Sequence, residues 1–217
     1  MHRFPWWAAG SVALNIAVAI LVPWLGSNDP YAIAATRQFG APSWTHPLGL
    51  DELGRDVLSR LLWGSRTSLG IALAAAAFGS IVGVLFAWPA GFLRGAVEAM
   101  ILSSTEALLC FPPLLLAVTL MGVGYSTLIP RMALVFLPSV IRIACASVLS
   151  IHSQDQVEAV RVLGAGRVRV IAGTILPSIA GLVLVRFSPA ASATITLESG
   201  LSFIGLGVAP PTPTWGA

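Results

Sequence analysis

The sequence predicts an all-α fold, a polytopic bundle of membrane helices, and three observations carry that prediction. Of the 217 residues, 56% are hydrophobic and 10% charged, whereas an ordinary soluble domain carries about 25% charged residues. Mean hydropathy is +0.87. The apolar residues gather into five runs long enough to cross a bilayer, with polar, Gly- and Pro-bearing segments between them. In lipid a helix satisfies its own backbone, so each run is read as a transmembrane helix. A chain so poor in charge cannot clothe a water-facing surface in the usual way, which excludes a soluble enzyme or soluble binding domain.

Charge and special residues narrow the function further. The formal net charge is +3 and every basic residue is an arginine, scattered one or two at a time. That pattern fits loops biased toward the cytoplasm and not a nucleic-acid surface. Cys110 and Cys145 lie in apolar runs as small packing residues, so no disulfide is expected. His2, His46 and His152 are spread over loops without clustered carboxylates, which leaves no metal-ligand spacing. No phosphate-binding glycine loop is present. The expectation is a non-enzyme with no cofactor, in which any ATP is bound by another chain.

The first span is read over residues 6–25. His2 and Arg3 precede it and Trp6, Trp7 and Trp24 ring its ends, which suggests an N-in, C-out helix. A second reading of the same stretch is a signal peptide cleaved near Ala32-Ile33-Ala34. Residues 26–66 are more polar, and Asp29, Asp51, Glu52 and Asp56 balance Arg37, Arg55, Arg60 and Arg66, which suits the outer side. Within them, 51–65 places Leu53, Val57, Leu58, Leu61 and Leu62 opposite Asp51, Glu52, Arg55, Asp56 and Arg60. That spacing predicts an amphipathic helix lying on the membrane surface.

The second span, 68–93, carries Gly70, Gly79 and Gly83, small residues that let membrane helices approach closely. The third, 100–122, contains Glu106 within about two turns of its inner end, where its side chain can reach headgroup water. Pro112 and Pro113 remove backbone donors and are expected to bend it. The fourth span, 125–149, carries Arg131 and Arg142, and the fifth, 171–197, carries Pro177, Arg186 and Pro189, with Glu198 at its end. An arginine at the depth of Arg186 costs about 2.5–3.5 kcal/mol on insertion scales, so it must pair, hydrate or line a cavity. Glu106, Arg142 and Arg186 are the candidates for a pathway or gate.

Between the fourth and fifth spans, 154–163 forms a short amphipathic helix that Gly164 and Gly166 break, and Arg167 and Arg169 lead back to the membrane. Its plain reading is a basic cytoplasmic loop. The order Glu158-Ala159-Val160, then Gly164, then Ile175-Leu176-Pro177 resembles the "EAA" loop of the membrane subunits of bacterial ABC importers. His46-Pro47-Leu48-Gly49-Leu50-Asp51-Glu52-Leu53-Gly54-Arg55-Asp56 resembles the "HPLGTDxLGRD" signature of the C-type permeases of peptide and nickel importers, with Leu50 where Thr is usual. Residues 202–216, from Ser202-Phe203-Ile204-Gly205-Leu206-Gly207 to Trp215-Gly216, resemble the same branch's "SFLGLGxxPPxPxWG" segment.

The resemblance implies a permease subunit of an ATP-driven importer for peptides or a related small solute, multi-pass in the bacterial inner membrane. It implies a single transmembrane domain over 1–217 that forms half of a translocation pore. The implied partners are a second permease subunit, two ATP-binding subunits, an extracytoplasmic solute-binding protein and membrane lipid. Glu158, Ala159, Arg161 and Gly164 match the coupling segment that meets the ATPase subunit. Relatives continue past the tryptophan-glycine pair into a sixth helix, so five spans are expected here where the family has six. Two other readings stand beside this one: a shortened permease remnant without transport, and a secondary transporter using Glu106, Arg186 and Glu198 for ion coupling.

Overall fold

The computed structural model describes residues 6–24, 29–93, 95–123, 127–152, 162, 166, 173 and 176–217. Six α-helices carry the described chain: α1 (Trp6–Leu21), α2 (Val57–Leu93), α3 (Ala96–Leu109), α4 (Pro113–Gly122), α5 (Leu128–His152) and α6 (Leu176–Phe203). No strand occurs among the described residues; an isolated bridge joins Leu50 to Asp56. The all-α membrane class expected from composition is therefore the class observed.

Three helices contain stretches long and apolar enough to cross a bilayer, namely Val57–Ala87, Leu128–Ser150 and Ile179–Phe203. The remaining two expected spans differ from the sequence reading. The third is not one bent helix but a pair, α3 and α4, set at 96° to one another. Pro112 and Pro113 have no N–H to offer Leu108 and Leu109, so the α3 ladder stops there. Pro113 then starts α4 as its first residue, where a missing donor costs nothing. The first span is shorter than expected: α1 has 16 residues, and Pro23 lies in a 3-10 turn over Val22–Trp24.

A further correction concerns 51–65. No separate surface helix forms there; α2 starts at Val57 and runs for 37 residues without a break. Nothing between Ser65 and Ser68 interrupts the ladder. The start is set by Asp56, whose Oδ2 accepts the Ser59 N–H at 3.0 Å as an N-cap. Asp51 and Glu52 belong instead to the turn before the helix.

The described chain divides into two compact units, Met1–Ile71 with Glu198–Ala217, and Ala72–Leu197, so the boundary falls within α2 and within α6. In the second unit α3 and α4 both pack on α5. Its core joins Ala87 of α2 to Ile141, Ala144 and Cys145 of α5, with Ile101, Leu102 and Leu137 against them. Small residues set the approach: Gly79 faces the Ala133 carbonyl and Gly83 faces Val140. Arg131 Nη1 donates to the Met121 carbonyl at 3.4 Å, which ties the end of α4 to the start of α5.

Candidate functional site

The first unit brings two of the motif-bearing segments together. Residues 46–56 form a compact turn held by its own polar groups. The Gly49 N–H donates to the His46 carbonyl at 2.9 Å, and the Leu50 N–H to the Gly40 carbonyl at 3.0 Å. Gly49 and Gly54 adopt φ of 77° and 74°, and a Cβ on either would strike a backbone carbonyl, of Gly40 or Ala34. These two glycines of the motif are backbone requirements. His46 Nδ1 lies 3.3 Å from Asp56 Oδ1, so one carboxylate meets the histidine and caps α2.

Asp51 organises the middle of the turn. Its Oδ1 accepts the Leu53 and Arg55 N–H groups at 2.8 and 2.9 Å, and its Oδ2 accepts Arg55 Nε at 2.6 Å. Burial by itself would raise this carboxyl, but the hydrogen bonds from Arg55 and Leu53 and the Arg55 charge outweigh burial and hold it below its ordinary value.

The second segment begins at the end of α6. Gly205, at φ 78°, stops the helix, with the Gly205 N–H on the Ser202 carbonyl at 3.0 Å and the Leu206 N–H on the Leu201 carbonyl at 2.8 Å. The chain then crosses to α2. Arg60 Nη1 donates to the Pro211 carbonyl at 3.3 Å, and Trp215 Nε1 to the Leu61 carbonyl at 3.3 Å. A Cβ on Gly64 would come within 3.0 Å of the Thr214 carbonyl carbon, and one on Gly216 within 2.5 Å of Ser199 Cα. Phe39, Asp51, Glu52, Arg55, Arg60 and Trp215 line an open cleft of about 370 Å³ between the two segments.

Beneath this junction lies a residue whose place the sequence reading missed. Glu198, read as the end of the fifth span, sits inside α6 and is 1% exposed. Its Oε1 accepts Ser202 Oγ–H at 2.7 Å and its Oε2 accepts Ser68 Oγ–H at 3.3 Å. The available signal was an acid within an apolar run, four residues from Ser202 on the same helical face.

The predicted pathway residues are not brought together. Glu106 lies on α3 one turn before the break, ten residues from the helix start, about 15 Å along the axis, and so deeper than the two turns expected. Arg142 lies on α5 and Arg186 on α6, and all three are exposed. No ion pair among the described residues involves any of them. Glu158, Ala159, Arg161 and Gly164 lie outside the described residues.

The described residues are helical and without strands, with three helices long and apolar enough to cross a membrane, and two of the motif segments meet at the start of α2 and the end of α6, which defines a multi-pass membrane protein. Residues 79–217 match the family described as binding-protein-dependent transport system inner membrane component, and the chain belongs to that family. Its place is the bacterial inner membrane. The di/tripeptide transport system permease protein DppC of Pseudomonas aeruginosa is 35% identical over 212 residues, 94% of this chain and 70% of the relative. The glutathione transport system permease protein GsiD of Shigella dysenteriae is 34% identical over 219 residues, 97% and 71% of the two chains. The dipeptide transport system permease protein DppC of Bacillus subtilis is 33% identical over 202 residues, 92% of this chain and 63% of the relative.

Proposed function

We propose that the chain is the membrane-spanning permease subunit of an ATP-driven importer for peptides or a related small solute. It forms half of a translocation pore with a second permease subunit, works with two ATP-binding subunits, and receives cargo from a solute-binding protein on the outer face. As a proposal, residues 1–217 act as one transmembrane domain. The relatives named for di/tripeptide, dipeptide and glutathione transport support the cargo class.

The observation that carries this reading is the contact of Trp215 with Leu61 and of Pro211 with Arg60. In this reading residues 46–56 and 204–217, joined by those contacts, share one face of the membrane. Three crossings, by α2, α5 and α6, would leave the start of α2 and the end of α6 on opposite faces. The broken α3–α4 pair therefore supplies a fourth crossing, with its break inside the bilayer. Non-helical backbone at that depth is tolerated where protein or a water-filled path covers it. Exposed Glu106 beside the break, and exposed Arg142 and Arg186, then face the second permease subunit or the path between the two, as residues of a pathway or gate. On the opposite face, Glu158, Ala159, Arg161 and Gly164 form the coupling segment that meets an ATP-binding subunit.

The test is uptake into proteoliposomes that hold this chain, a peptide-importer partner permease and the ATP-binding subunits, with the binding protein outside. ATP-dependent uptake of a labelled dipeptide is expected. Uptake driven by a proton gradient without ATP would overturn the reading in favour of ion coupling.

A further inference from the structure

The buried Glu198 has a more particular part. It is an ionisable side chain in a candidate membrane span, 1% exposed, with no cationic partner among the described residues. It also lies near the C-terminal end of α6, where the helix dipole opposes an acid. A group in so costly a place is kept for what it holds.

Two hydroxyl relays converge on it. On one side the Trp215 N–H donates to Ser68 Oγ at 3.1 Å, and the Ser68 hydroxyl donates to Glu198 Oε2 at 3.3 Å. On the other the Gly216 N–H donates to Thr214 Oγ1 at 3.3 Å. The Thr214 hydroxyl donates to Ser202 Oγ at 3.5 Å, and the Ser202 hydroxyl to Glu198 Oε1 at 2.7 Å. Each hydroxyl accepts from the loop side and donates toward the acid, so both relays run in one direction and both end on one carboxylate. Ser68, Thr214 and Pro213 are themselves buried.

We infer that Glu198 is a positioning residue that locks the 213–216 turn onto α2 and α6, and through that turn shapes the outer face on which the delivering binding protein docks. The docking half rests on the proposed function; the lock does not. Removing the acid leaves two hydroxyl relays with no terminal acceptor in a buried place, which frees the turn while the helices remain.

The experiment uses the full importer complex in nanodiscs. A cysteine replacing Pro213, which is buried and outside the relays, reports opening of the turn by its reaction rate with a membrane-impermeant maleimide. Glu198→Ala is expected to raise that rate at least about tenfold, and Glu198→Gln, which keeps one acceptor oxygen, by less. Ser68→Ala and Ser202→Ala each interrupt one relay and are expected to fall between wild type and Glu198→Ala, which keeps the test open if the alanine variant at 198 fails to fold. In the same complexes, without the reporter cysteine, the binding-protein concentration for half-maximal ATPase stimulation should rise at least about threefold in Glu198→Ala, with the unstimulated ATPase rate unchanged. Equal maleimide rates in wild type and all four variants would overturn the lock. A faster rate with an unchanged half-maximal concentration would overturn the docking role. Failure of the importer reading itself would show separately, as no stimulation of the unaltered complex by binding protein.

Discussion

Gly83 of α2 stands so close to Val140 of α5 that a Cβ on the glycine would lie 2.5 Å from the valine Cγ1. Gly70, on the same helix, has nothing within 4 Å of the equivalent point. Two glycines that look alike in the sequence thus carry different constraints. Gly83→Ala is expected to destabilise the purified protein by about 1–3 kcal/mol through overpacking, whereas Gly70→Ala should stay within about 0.5 kcal/mol of wild type. Thermal unfolding in detergent measures both, and equal midpoints for the two variants would remove the packing role assigned to Gly83.

Asp56 caps α2 and meets His46 with the same carboxylate. Asp56→Ala is expected to cost about 0.5–2 kcal/mol, and Asp56→Asn, which keeps an acceptor for the Ser59 N–H, clearly less. The same thermal measurement ranks them; an alanine variant that unfolds with the asparagine variant would show that the cap is not what matters there.

The turn at 46–56 should respond to acid through Asp51. Its carboxyl sits below the ordinary value of 3.8 in the folded chain. A depressed pKa contributes stability that is present above the unfolded value and lost as pH falls through the folded one. The Leu53 and Arg55 amides, which donate to Asp51, should therefore keep their hydrogen-exchange protection near neutrality and lose it only below about pH 4. Asp51→Asn should abolish that acid step, and an unchanged profile in the variant would assign the step to another group.

Parity of crossings makes a topological prediction. Ala96 begins α3 and Val123, 77% exposed, follows α4. A cysteine replacing Ala96 should react with impermeant reagent only from the cytoplasmic side, and one replacing Val123 only from outside. Reaction of both from the same side would make the broken pair a re-entrant loop.

The coupling segment is tested at its glycine. Gly164→Val is expected to leave membrane insertion intact while lowering uptake at least about tenfold for a given ATPase rate, since a side chain hinders the turn expected there. Cysteines replacing Ala159 and Ala165 should crosslink to an ATP-binding subunit from the cytoplasmic side. Normal coupling in the valine variant, or labelling of these positions from outside only, would displace the segment from this role.

What the sequence by itself determined is the part that depends on local order. The all-helical membrane class followed from apolar runs and scarce charge, because each helix in lipid must satisfy its backbone within itself. The family resemblance followed from short motifs, whose residues are neighbours in the chain. Tertiary structure decided what joins distant residues. Ser68 meets Glu198 across 130 positions and Trp215 meets Leu61 across 154, and no periodicity signals either contact. The break at Pro112 stood between the two: the prolines announced a lost donor, but whether the helix bends or turns through 96° depends on how α3 and α4 each pack on α5. A hydropathy profile reports each residue's preference for lipid or water, and Glu198 reads there as a misplaced acid. Its burial is tolerated because Ser68 and Ser202 donate hydrogen bonds to it; Ser202 stands one helical turn away in the sequence, but the fold alone put Ser68 within reach.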